Sequence, residues 1–251
     1  MPVILTALGV GGATAIGALL GFIFKNPSRK LNDIILSFAA GVMLAAAVVG
    51  LVMPSLELGG KFGIIYTVIG IMLGAITLSL IDKLVPHLHK MNEIGEERHP
   101  ESTEKINKIL LFVIAIGIHN LPEGIAAGVS FGTNDIAQAL TVSGGIALQN
   151  IPEGMVIIAP MIAVGIRKRR ALGIALLTGL VEVVGTFIGY FAVNISEAIL
   201  PFALAFAGGT MLYVISDEMI PETHSHGNER AATYSLLIGF VAMLAFDFLL
   251  G

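Results

Sequence analysis

Lys108-Ile-Leu-Leu-Phe-Val-Ile-Ala-Ile-Gly-Ile-His-Asn-Leu-Pro-Glu-Gly-Ile-Ala-Ala-Gly-Val-Ser130 is an apolar run whose middle holds an imidazole, an amide and a carboxylate. The polar groups come as a phrase, His119-Asn-Leu-Pro-Glu-Gly124. Thirty residues later the chain repeats it as Gln149-Asn-Ile-Pro-Glu-Gly154, inside a second apolar run. Runs of this length without strand alternation read as membrane-crossing helices, because backbone polar groups in hydrocarbon must be satisfied within the segment. An acid at the centre of such a helix costs roughly 2.5–3.5 kcal/mol on insertion scales. Neither phrase has a Lys or Arg beside it to offset that cost. A bound metal cation supplies the missing positive charge.

The rest of the chain agrees with a membrane setting. Of 251 residues, 55% are hydrophobic and 13% are charged, with 30 glycines. A soluble domain carries about 25% charged residues. The fold class expected is therefore all-α, a polytopic membrane protein. Eight stretches suffice to cross the bilayer: 3–24, 34–56, 62–81, 108–130, 136–164, 171–193, 198–218 and 231–250. They form one transmembrane domain over 1–251, with a polar cytoplasmic loop at about 83–107. The first stretch lacks a basic leader and a good cleavage site, so it reads as a retained span. The fifth is long and contains Pro152 and Pro160, which predict a kink or tilt.

Charge sets the orientation. Of the 14 Lys and Arg residues, all but Lys61 fall in the odd-numbered loops. The positive-inside rule places those loops in the cytoplasm of a cell membrane and both termini outside. Absent cysteine excludes disulfides, thiolate metal sites and iron–sulfur clusters. Nothing points to a nucleic-acid partner. Small residues recur at four-residue spacing, as Gly9/Ala13/Gly17/Gly21, Gly70/Gly74, Gly124/Gly128 and Gly185/Gly189, and such ladders bring helices close.

Within the fourth stretch His119 and Glu123 lie four residues apart and share a helix face, with Asn120 beside them. Pro122 cannot donate to the carbonyl of Ile118 and pushes it aside, leaving an oxygen near the same face. The fifth stretch repeats the design with Gln149, Glu153, Asn150 and Pro152. Facing each other, the two helices gather two carboxylates, one imidazole and three amides, and Glu182 in the sixth stretch is the natural addition. Three adjacent acids repel unless a cation or proton intervenes. Nitrogen and oxygen donors without thiolate suit Zn²⁺, Fe²⁺ or Mn²⁺, with Cd²⁺ as a mimic, better than Ca²⁺ or Mg²⁺. Met43 reads as a core residue.

The duplicated phrase resembles the hallmark of the ZIP family of divalent-metal transporters, especially its bacterial and archaeal branch. The likeness extends to Gly179-Leu-Val-Glu-Val-Val-Gly185 and Asp217-Glu-Met-Ile-Pro-Glu-Thr-His224. It implies a transporter, not an enzyme, with the metal as substrate and no catalytic cofactor. It implies a primary metal site of His119, Glu123, Gln149 and Glu153. Asn120, Asn150 and Glu182 would complete a second site sharing the two glutamates. Some relatives carry an acid where this chain has Asn150 and His where it has Gln149, which weakens the case for a filled second site and opens selectivity toward Fe²⁺ or Mn²⁺. Import by alternating access follows from the resemblance, and a homodimer is compatible with it. The alternatives are a metal-selective channel and an intramembrane metalloenzyme; His-Glu-x-x-His and Glu-x-x-His spacings are missing at the candidate site. Loop histidines His87, His89, His99, His224 and His226 are candidate transient ligands. Asp217, Glu218 and Glu222 are expected at an exit, and Asp247 reads as an interfacial acid.

Overall fold

The structure, a computed structural model, describes residues 2–23, 28–84, 102–163, 165–195 and 197–250. Among these residues there is no strand. Eight long helices follow one another: α1 Pro2–Gly21, α2 Arg29–Leu58, α3 Gly63–Leu84, α4 Ser102–Ser130, α5 Ile136–Ala163, α6 Lys168–Ile195, α7 Leu200–Thr223 and α8 Glu229–Leu250. All except α4 are long and apolar enough across their described residues to cross a membrane. At 29 residues, α4 is about 43 Å long.

Local chemistry explains several boundaries. Ser28 caps α2, its hydroxyl accepting from the Leu31 amide at 3.2 Å. Asn134 reverses the chain after α4 in the left-handed region, at φ 58, and the Asp135 carboxylate then accepts from the Gln138 amide to open α5. Both α3 and α4 run into the stretch expected as the loop 83–107, since α3 ends at Leu84 and α4 begins at Ser102. His87, His89 and His99 lie outside the described residues.

Proline acts differently in different helices. Both α4 and α5 stay continuous through Pro122, Pro152 and Pro160. By contrast α2 and α7 each open into a wider π turn, at Ala46–Val52 and Ile215–Met219, just before Pro54 and Pro221. A proline lacks the N–H that the preceding turn needs, and the wider turn absorbs the mismatch.

The helices sort into two groups. In one, α1 packs on α5 and α6, and α4 packs on α6; in the other, α2 packs on α8, and α3 on α7. Backbones inside each group nearly touch. A Cβ on Gly124 would lie 2.2 Å from the Glu182 carbonyl oxygen, and one on Gly154 would lie 2.2 Å from that of Thr14. Gly41 of α2 meets Leu236 of α8 in the same way, and Gly74 of α3 meets Phe206 of α7. Gly9 is the exception in its ladder, for it faces open space. Between the groups the contacts are made more by side chains, such as Val142 of α5 against Gly50 of α2 and Met243 of α8 against Gly145 of α5. The largest apolar cluster, with Met43, Ala127, Ile146 and Met211 buried in it, spans this seam.

Candidate metal centre at the seam

The glycine ending each phrase fixes where the polar groups meet. Gly124 presses α4 onto α6 at the residue that carries Glu182, and Gly154 presses α5 onto α1 at the residue that carries Thr14. These two side chains then join, the Thr14 hydroxyl donating to Glu182 Oε1 at 2.7 Å. Asn120 Nδ2 donates to the same oxygen at 2.5 Å, and Asn150 Nδ2 donates to Oε2 at 2.5 Å. One fully buried carboxylate thus links all four helices of its group.

Alongside this knot lies the remainder of the expected set. Glu123 is buried and neighbours Gln149, Glu153 and Glu182. Glu153 neighbours His119 and Glu218 and keeps some accessible surface. His119 turns toward the second group: its Nε2 approaches Glu218 Oε1 of α7 to 2.7 Å. Asp82 of α3 completes a trio whose ligand atoms all lie within 4.8 Å of one another. Carboxylates from both groups therefore converge on the His119 side of the seam.

Several of these buried atoms are left without a hydrogen bond. They include Asn120 Oδ1, Asn150 Oδ1, Glu123 Oε2 and both amide atoms of Gln149. A buried polar atom without a partner costs about 1–3 kcal/mol. Here such atoms are predominantly oxygen acceptors, gathered where two anionic helices face each other. That donor set of carboxylate, carbonyl and imidazole is what a borderline divalent cation takes.

All seven residues expected from the sequence are thus brought to one region, α4 contributing His119, Asn120 and Glu123, α5 Gln149, Asn150 and Glu153, and α6 Glu182. Three contributors escaped sequence reasoning. Thr14 looks like a packing residue of an apolar span, and Asp82 falls one residue beyond the expected end of its stretch. Glu218 was expected beside Asp217 and Glu222 at an exit. Glu218 is half-buried and meets His119, whereas Asp217 and Glu222 are exposed. A signal for Asp82 was available: it is an acid directly after an uninterrupted apolar run.

The two remaining histidines have protein partners. His224 Nδ1 donates to the Ile220 carbonyl at 2.9 Å, with Nε2 3.1 Å from the Thr233 hydroxyl. His226 Nδ1 lies 3.0 Å from Asp33 Oδ1, and Asn228 Nδ2 donates to Asp33 Oδ2 at 2.9 Å. Both fasten the turn after α7, to α8 and α2 respectively.

A bundle of apolar helices around an internal, oxygen-rich cluster of polar side chains defines a multi-pass membrane protein with a candidate metal site. Comparison with known proteins gives the family. The family profile described as "ZIP Zinc transporter" matches residues 92–247. The chain is 42% identical to the "Zinc transporter GufA" of Myxococcus xanthus, over 99% of this chain and 98% of that one. It is 36% identical to the "Zinc transporter ZIPB" of Bordetella bronchiseptica, over 95% and 78% of the two chains. It is 36% identical to the "Zinc transporter ZupT" of Chlorobaculum parvum, over 93% and 91%. The chain belongs to the ZIP family, whose members are transporters and not enzymes.

Proposed function

We propose that this chain imports divalent metal ions, Zn²⁺ foremost, across the cytoplasmic membrane through the α4–α5 site. The observation that carries the reading is the convergence of His119, Glu123, Gln149 and Glu153 with unpartnered buried oxygens at the seam of two helix groups. Fe²⁺, Mn²⁺ and Cd²⁺ match the same donors and are expected to compete. The names of the relatives favour Zn²⁺ as the main cargo.

The geometry supports a path. Glu123 and Glu153 anchor the ion on one group, and His119 hands it to Glu218 and Asp82 on the other. Because backbone contact is concentrated within the groups, a shift of one group against the other changes this handover without disturbing either interior. This is alternating access with the ligands as the moving load. With eight spans and the basic loops inside, as the charge distribution favours, both termini lie outside. Import then needs no ATP, since a potential of 100 mV favours a doubly charged ion by about 4.6 kcal/mol.

Uptake of Zn²⁺ into proteoliposomes tests the function. Saturable uptake, with acceleration by Zn²⁺ preloaded inside, is the result expected of a carrier. Uptake that rises linearly with concentration and shows no counterflow would point to a channel, and none for any divalent ion would refute transport.

A further inference from the structure

We infer that Glu182 is a positioning residue and not a metal ligand, and that the α4–α5–α6 region of this chain holds one ion at a time. The inference rests on the proposed site and assigns the roles within it.

Asn120 and Asn150 each set the amide nitrogen 2.5 Å from Glu182, donating to Oε1 and Oε2 respectively, and that contact sets the rotation of both amides. Each amide then turns its oxygen away from Glu182. Those oxygens, Asn120 Oδ1 and Asn150 Oδ1, are buried and have no hydrogen-bond partner. Asn120 lies three residues before Glu123 and Asn150 directly follows Gln149, so a cation bound between α4 and α5 meets two oriented carbonyl dipoles.

The carboxylate itself is closed to an ion. Oε1 takes the Thr14 hydroxyl and the Asn120 amide, and Oε2 takes the Asn150 amide. Asn150 Nδ2 also reaches the Val10 carbonyl at 3.3 Å, which ties it further to α1. Donor hydrogens directed at Glu182 form a positive lining, and a cation placed there would face them. Glu153 keeps accessible surface, whereas Glu182 has none.

Two experiments on the full-length protein test this. In crystals soaked with Cd²⁺, the anomalous map should show one peak in this region, ligated from α4 and α5, with the Glu182 carboxylate outside coordination distance. A second peak on Glu182 would overturn the assignment and leave the transport site standing. No peak between α4 and α5 would overturn both. The second experiment is a double-mutant cycle on Cd²⁺ affinity in detergent. Glu182→Gln places a donor against the Asn150 amide, forces it to flip, and should weaken binding about tenfold. In an Asn120→Ala/Asn150→Ala background the same change should weaken it less than about threefold, because the groups it orients are gone. An equal loss in both backgrounds would make Glu182 a direct ligand.

Discussion

Adding one methyl group at Gly124 tests whether the close approach of α4 and α6 is what builds the site. A Cβ there would lie 2.2 Å from the Glu182 backbone oxygen, whereas ordinary contact begins at 3.4 Å, so the helices must part by about 1.2 Å. The Asn120–Glu182 hydrogen bond spans the same gap at 2.5 Å and would stretch past useful length. Overpacking costs about 1–3 kcal/mol. Losing a hydrogen bond to a charged group adds about 1.5–3 kcal/mol. Gly124→Ala should therefore lower resistance to unfolding in detergent and weaken Zn²⁺ binding, measured by titration calorimetry, by about tenfold or more. Gly9→Ala is the internal control, since nothing lies within 4 Å of its added Cβ. It should leave both quantities unchanged. Equal behaviour of the two variants would refute the reasoning, because it would mean that helix separation does not set the ligand geometry.

Other expectations follow from contacts away from the knot. Glu218→Gln leaves Glu123 and Glu153 in place but weakens the acceptor facing His119, so maximal Zn²⁺ flux should fall about tenfold while equilibrium affinity changes less. Asp33→Ala removes the anchor of His226 and Asn228 and should cost about 1–3 kcal/mol of stability in denaturant titration, with Zn²⁺ affinity unaltered. Ser55→Ala breaks the buried contacts to the Thr67 hydroxyl at 2.8 Å and the Pro201 carbonyl at 2.6 Å. It should cost about 1–2 kcal/mol, again without effect on binding.

The helical bundle was legible because hydrocarbon enforces one backbone solution, and the duplicated phrase was legible because its cost demands a partner. Glycine spacing marked the close contacts inside each group, yet spacing alone did not separate Gly17, which meets the Ile151 backbone, from Gly9, which meets nothing. The division into two groups was not readable, since it depends on which helix faces which. For the same reason Thr14, Asp82 and the contact of Glu218 with His119 were missed. Each is an ordinary residue in sequence whose role comes from a helix distant in the chain. Proline leaves the fifth span assigned as one helix through Pro152 and Pro160, while π turns form in α2 and α7, where local sequence gives no cue except Pro54 and Pro221.

The most direct test of the central claim is Zn²⁺ flux together with Zn²⁺ binding for Glu123→Ala and Glu153→Ala, each checked for retained helical fold. The account predicts that both variants lose saturable flux and bind the ion at least about tenfold more weakly, since each removes a charged ligand. Flux and affinity that match the unsubstituted chain in both variants would contradict it, and would place the transported ion somewhere other than between α4 and α5.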